Sequence, residues 1–301
     1  MALRLGGRVF LGGLAGLAIA AALSARLVSP EPDPRDDWHL MVLGIAQDGG
    51  IPQLGCEEPI CTAIRSGQRK RERVASLGLV NPTLKKAYVI DATPDFVSQV
   101  DSLTGGRLPD GILLTHAHVG HYTGLMYLGR ESIDAKHVPV YGTDRMVGFL
   151  TNNGPWSLLV SRQNIDLHPM ALGRPLVLGD GISITPYPVP HRDEFTDTVG
   201  FLIEGPHKKV LYIPDIDGWD KWTRDIRQMV DKVDLAFLDG TFASADELPG
   251  RPMADIPHPL MPVTRELLRG TPARVWFIHL NHTNREIDAS DVAKDGMTFT
   301  M

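Results

Sequence analysis

Three histidines fall within six residues, at His116, His118 and His121, directly after the apolar run Gly111-Ile112-Leu113-Leu114. Such a run reads as a buried strand of about five residues. A loop leaving that strand can aim several imidazoles at one point. Imidazole is a good ligand for zinc, iron, copper or nickel, so this density points to a metal rather than to core packing. A metal held by three protein ligands leaves a position open for water and lowers that water's pKa to about 7. The chemistry this allows is metal-assisted hydrolysis of an ester, lactone, lactam or phosphodiester, with a small molecule as substrate.

Other apolar runs also end in His or Asp. His191 closes Tyr187-Pro188-Val189-Pro190, and Asp215 follows Val210-Leu211-Tyr212-Ile213-Pro214. Asp239 ends Leu235-Ala236-Phe237-Leu238, and His279 and His282 follow Val275-Trp276-Phe277-Ile278. Polar residues gathered at strand ends are how α/β folds build sites. His282 lies further into its loop than His279 and is the expected ligand of the two. His279 is expected to be buried and to donate to a backbone carbonyl. Asp239-Gly240-Thr241 reads either as a carboxylate that orients a ligand histidine or as a structural turn. His258 precedes a predicted helix; it is the candidate proton donor to a leaving group, with a helix-start or surface role as the alternative. Asp48-Gly49-Gly50 is expected to form a tight turn at the site rim, since Gly permits positive φ. Asn152-Asn153-Gly154-Pro155-Trp156 reads as a loop beside the substrate cleft, with packing the commoner role for a Trp at such a place. His39, His137, His168 and His207 read as surface or packing residues.

The elements that must position these residues are mostly strands. They are expected at 39–43, 87–91, 111–115, 138–141, 182–189, 198–203, 209–213, 235–238 and 274–278. Helices are expected near 94–103, 144–152, 219–230 and 259–269, the last with Pro259 in its first turn. Two packed sheets with helices outside would bury these runs. The fold class is therefore α/β, an αββα sandwich of two mixed sheets with outer helices.

Composition fits that frame. The chain has 301 residues, 43% hydrophobic and 22% charged, as in ordinary globular domains. Net charge is −6. The one basic cluster, Gln68-Arg69-Lys70-Arg71-Glu72-Arg73, reads as a solvated face, so no nucleic acid is expected as a partner. The N-terminus differs: Arg4 and Arg8 precede an uncharged run over 9–25, and a Pro/Asp-rich stretch follows. That is the layout of a secretory signal, and the run is nearly long enough to remain as a membrane anchor. The expected division is signal or anchor over 1–28, linker over 29–37 and the functional domain over 38–301. The expected location is exported, periplasmic or anchored to the inner membrane. Cys56 and Cys61 are the only cysteines, and three readings stay open: a short-loop disulfide, free thiols, or metal ligands.

The series His116-Ala117-His118-Val119-Gly120-His121, then His191, Asp215 and His282, resembles the H-x-H-x-D-H, His, Asp, His ligand series of the metallo-β-lactamase superfamily. The resemblance covers about residues 39–285. Gln47-Asp48-Gly49-Gly50-Ile51-Pro52-Gln53, Tyr122-Thr123-Gly124-Leu125-Met126, Asp239-Gly240-Thr241-Phe242 and Ile278-His279-Leu280-Asn281-His282-Thr283-Asn284 are similar to the branch of pyrroloquinoline quinone (PQQ) biosynthesis protein B. The resemblance implies a first metal site at His116, His118 and His191, with Asp215 as bridging carboxylate. It implies a second at His121, His282 and Asp215. Gly120 stands where that pattern has Asp, so one well-made and one weakened site are expected, with Asp217 a candidate to compensate. Zinc is the expected ion, one or two per chain, with iron or manganese as alternatives. Asp215 and His258 are the expected catalytic residues. Two other functions remain compatible, an iron-dependent oxidative enzyme and a small-molecule carrier, either linked to quinone cofactor biosynthesis.

Overall fold

The computed structural model describes residues 1–3, 33–248, 251–252 and 255–301. The chain divides into two units, Met1–Pro32 and Asp33–Met301. The expected signal or anchor lies almost entirely outside the described residues. Among the described residues no helix is long and apolar enough to cross a membrane.

The second unit is an αββα sandwich. One sheet has the order β13 (Thr298–Thr300), β1 (His39–Gly44), β2 (Ser76–Asn81), β3 (Lys86–Ile90), β4 (Gly111–Leu113), β5 (Val138–Gly142) and β6 (Ile165–Pro169). Its pairs from β3 to β6 are parallel and the others antiparallel. The other sheet has the order β12 (Arg274–Ile278), β11 (Leu235–Asp239), β10 (Lys209–Ile213), β9 (Val199–Glu204), β8 (Ile182–Pro188) and β7 (Leu176–Gly179). There β10, β11 and β12 run parallel. The helices are α1 (Pro59–Arg65), α2 (Phe96–Thr104), α3 (Val119–Tyr122), α4 (Asp144–Asn152), α5 (Trp156–Ser161), α6 (Ile226–Val230) and α7 (Met261–Leu267).

Strand alternation builds the layers. In β10, Val210 and Tyr212 face the other sheet and pack with Leu77, Ile90 and Phe201, whereas Leu211 and Ile213 face outward onto Ile226 and Val230 of α6. A strand covered on both faces reads as an unbroken apolar run, which is why the central strands are legible in the sequence. On the other flank, Phe96 and Val100 of α2 and Met146 and Leu150 of α4 cover the outer face of Val89, Ile112 and Val140. Thr143 starts α4 by accepting a hydrogen bond from Met146 N at 3.3 Å.

Several expectations are corrected. Strands β2, β6, β7 and β13 are additional to those expected. The helix expected over 219–230 is a 3-10 turn, Trp219–Lys221, followed by α6, because Asp225 caps a new start by accepting from Arg227 N at 2.8 Å. Helix α7 begins at Met261, so Pro262 rather than Pro259 sits in its first turn. The loop expected over 152–156 is confined to 153–155, and Trp156 begins α5 and packs edge-on against Tyr122, 4.8 Å between centroids, in line with its packing reading. Cys56 and Cys61 form a disulfide, which decides among the three readings of that pair. The arginines of the basic cluster are engaged: Arg69 with Asp288, Arg71 with Asp95 and Arg73 with Asp295.

Candidate metal centre

The strand ends converge on one point. His116, His118, His191 and Asp215 form one group of ligand atoms, all within 4.8 Å of one another. Asp48, His121 and His279 form a second group on the same terms, and Asp215, His258 and His279 a third. Asp215 Oδ2 lies 3.4 Å from His116 Nε2, 3.2 Å from His191 Nε2, 3.8 Å from His279 Nε2 and 4.0 Å from His121 Nε2. It is the shared corner. The first sheet supplies His116, His118 and His121 after β4; the second supplies His191 after β8, Asp215 after β10 and His279 after β12.

Each ring is tied at its outer nitrogen. His121 Nδ1 donates to Asp91 Oδ2 at 2.8 Å, and His191 Nδ1 donates to Asp217 Oδ1 at 3.0 Å. His118 Nε2 donates to Glu194 Oε2 at 3.0 Å. His116 Nδ1 donates to Thr115 Oγ1 at 3.0 Å, and that hydroxyl donates to Asp91 Oδ1 at 2.9 Å. His279 Nδ1 donates to Thr241 Oγ1 at 3.1 Å, whose own proton goes to Asp239 Oδ1 at 2.7 Å. The network thus assigns the tautomers: an N–H outward and a lone pair inward on every ring.

The inward atoms fit a cation. Nε2 of His116, His121 and His279 and Oδ1 of Asp48 and Asp215 are buried without a hydrogen-bond partner. Orphaned buried polar atoms are costly, about 1–3 kcal/mol each. His191 Nε2 and His118 Nδ1 face each other at 3.2 Å as two lone pairs. Tetrahedral zinc with ligands at about 2.1 Å spaces ligand atoms about 3.4 Å apart, close to the separations in the first group. The electrostatics agree. Burial pushes the Asp215 carboxyl up, but the His191 and His279 rings outweigh this and hold it well below the usual range. Burial opposes charge on His121, yet Asp91 and Asp48 raise it to about 10, so without a metal a proton occupies the inward nitrogen that a cation would take. Carboxylates outnumber cations here, and a divalent ion would balance them.

The structure brings together His116, His118, His121, His191, Asp215 and His258. His282 stands apart from all three groups. It is half-buried and lines the neighbouring cleft, so the expectation that it reaches the metal position is corrected in favour of His279. The reason is largely tertiary: Leu280 N bonds Ile45 O at 2.8 Å, and His279 adopts φ 65°, which swings its ring inward. Asp217 orients His191 and does not supply the second group. His258 Nδ1 donates to Asp239 Oδ2 at 2.7 Å and its Nε2 is buried and free. Burial lowers His258 but the Asp239 charge raises it to about 9. Sequence reasoning placed Asp48 only in a turn at the site rim and missed it as a donor, and it missed Glu194, Thr115 and Asp91 as members of the site. Asp91 ends a strand, the same signal that marked Asp215 and Asp239.

A cleft of about 450 Å³ opens beside the second group, walled by Gln47, Asp48, Arg192, Arg251, Asn281 and His282. A depression of about 490 Å³ near Lys208, Lys209 and Lys232 sits at the N-terminal ends of β10 and β11, remote from this chemistry.

The profile of the beta-lactamase superfamily domain matches residues 86–280. The chain belongs to that superfamily and has the metallo-β-lactamase fold. Within it, the chain is similar to Coenzyme PQQ synthesis protein B. It is 27% identical over 311 residues to that protein from Xanthomonas campestris pv. campestris (strain B100), covering 87% of this chain and 100% of the relative. The crystal structure of Zn(2+)-bound PqqB from Methylobacterium extorquens aligns with a TM-score of 0.74 at 22% identity, covering 87% of this chain and all of that one. A diphosphatase from the PhnP family aligns with a TM-score of 0.63, also at 22% identity, covering 87% and 96%.

Proposed function

We propose that this protein is a metal-dependent hydrolase, PqqB-like in architecture, acting on an ester, lactone, lactam or phosphodiester. The observation that carries this is the inward set of unpaired nitrogens and carboxylate oxygens, each ring locked by an outer partner. When bound, zinc would polarise a carbonyl or phosphoryl oxygen and lower the pKa of a coordinated water. His116, His118, His191 and Asp215 would hold it, and His121 and His279 would take part in a second position. Asp215, within 4.0 Å of His121 and His279 as well as close to His116 and His191, would serve both positions. His258, whose Nδ1 lies 3.4 Å from Asp215 Oδ1, can pass a proton to a leaving group. Arg192 and Arg251 in the cleft wall suit a substrate with an anionic group. The protein is proposed to work outside the cytoplasm, because its short-loop disulfide is of the kind that persists in oxidising compartments.

The test pairs elemental analysis with hydrolysis of chromogenic ester, lactone, lactam and phosphodiester substrates, with and without a chelator. Turnover that disappears on chelation and in His116→Ala supports the proposal. Turnover that survives both overturns it. Similarity to Coenzyme PQQ synthesis protein B favours a second reading, a role in quinone cofactor synthesis; the same donors accept iron, and an iron-dependent oxidative step is the form we propose for it. Oxygen consumption with iron and no hydrolysis with zinc would select it.

A further inference from the structure

We infer that Asp48 is the carboxylate of the second metal position, delivered from the loop after β1 into the space that Gly120 leaves free. The inference rests on the metal-centre part of the reading above and is independent of the reaction.

Three observations meet here. First, Asp48 Oδ1 lies 3.5 Å from His121 Nε2 and 3.8 Å from His279 Nε2. These separations are too long for hydrogen bonds and close to the spacing of ligand atoms around one ion. All three atoms are buried without a partner, and both histidine side chains are fully buried and aimed at the same point. Second, Gly120 is required by Asp48. A Cβ at position 120 would collide with Asp48 Oδ1 and come within 2.7 Å of Asp48 Cα. The departure from H-x-H-x-D-H is therefore a relocation: the carboxylate enters from another segment, and position 120 has lost its side chain to admit it.

Third, the Asp48 loop is built onto the His279 loop. Gln47 N donates to Leu280 O and Leu280 N to Ile45 O, both at 2.8 Å. Asn281 Nδ2 donates to Gln47 Oε1. The turn closes through Gly50 N to Gln47 O at 2.7 Å, with Gly50 at φ 67°. The two donors thus sit on one backbone ladder and move together, which is what a paired ligand set needs.

Zinc and cobalt(II) titrations of the full chain test this. The readouts are stoichiometry by calorimetry and elemental analysis, and the cobalt absorption spectrum. The parent should take two equivalents. Asp48→Ala and the near-isosteric Asp48→Asn should keep the first equivalent and weaken the second by at least about 100-fold, since an outer-shell change alone costs 10–100-fold. Two unchanged equivalents in either variant would overturn the assignment. So would a parent that takes one equivalent, or loss of both equivalents in Asp48→Asn, which would make Asp48 structural. A parent with two equivalents and no hydrolysis would sink the hydrolase proposal while leaving Asp48 in place.

Discussion

Asp91 Oδ2 lies 2.8 Å from Nδ1 of His121, and neither side chain is exposed to solvent. Asp91 also accepts from Thr115 N at 2.8 Å and from Thr115 Oγ1, so one carboxylate positions His116 and His121 together. Asp91→Ala leaves the His121 and Thr115 N–H groups unpaired, at about 1–3 kcal/mol each. It should lower zinc affinity about 10–100-fold, read by competition with a chromogenic chelator, and depress the melting temperature of the metal-free protein. An unchanged affinity would remove Asp91 from the site.

His258 has its Nδ1 held by Asp239 and its Nε2 free. His258→Ala should lower kcat by about 10²–10⁴ and leave zinc content as in the parent. Parallel loss of metal and activity would make it a ligand, and unchanged kcat would make it structural.

Metal removal should destabilise the fold. Zinc at about 100 times its dissociation constant adds about 2.7 kcal/mol, so excess zinc should raise the melting temperature and a chelator should reverse the gain. His116→Ala should lose most of that increment. A melting temperature indifferent to zinc contradicts the site.

Arg265 on α7 grips Asp291 through Nε at 2.7 Å and Nη2 at 2.9 Å, and reaches Glu286 with Nη1. The Arg265 hydrogen bonds hold the Asp291 carboxyl below its ordinary 3.8. A depressed carboxylate contributes stability above 3.8 that is lost as pH falls toward its folded value. The pair is about one-third exposed, so its worth is about 1 kcal/mol. Arg265→Met should be less stable than the parent by that amount at pH 7, and the gap should close as pH falls below 3.8. Urea titrations at pH 7 and pH 3 measure it. A gap that widens in acid refutes this assignment.

Much of the fold is written in apolar runs. Central strands such as β10 and β11 are buried on both faces and announce themselves, whereas β7 at a sheet edge and the short β13 carry little signal. Residues at the ends of legible strands, His116, His191, Asp215 and Asp239, were found for that reason. His279 and His282 could not be separated by sequence, because the choice depends on Leu280 pairing with Ile45, some 230 residues earlier in the chain, and on a left-handed backbone at a residue that is not glycine. Asp48 was visible only as a turn. Its approach to His121 is set by how β1 and β12 end beside one another, a tertiary fact with no local pattern.

The ligand set is split between the two sheets. His116, His118 and His121 hang from one, and His191, Asp215 and His279 from the other. Metal affinity is therefore a gauge of how well the sheets are seated on each other. Phe201 is fully buried in their shared core and is not one of the ligand residues. Yet Phe201→Leu should weaken zinc binding in step with the loosened packing, without altering a single donor.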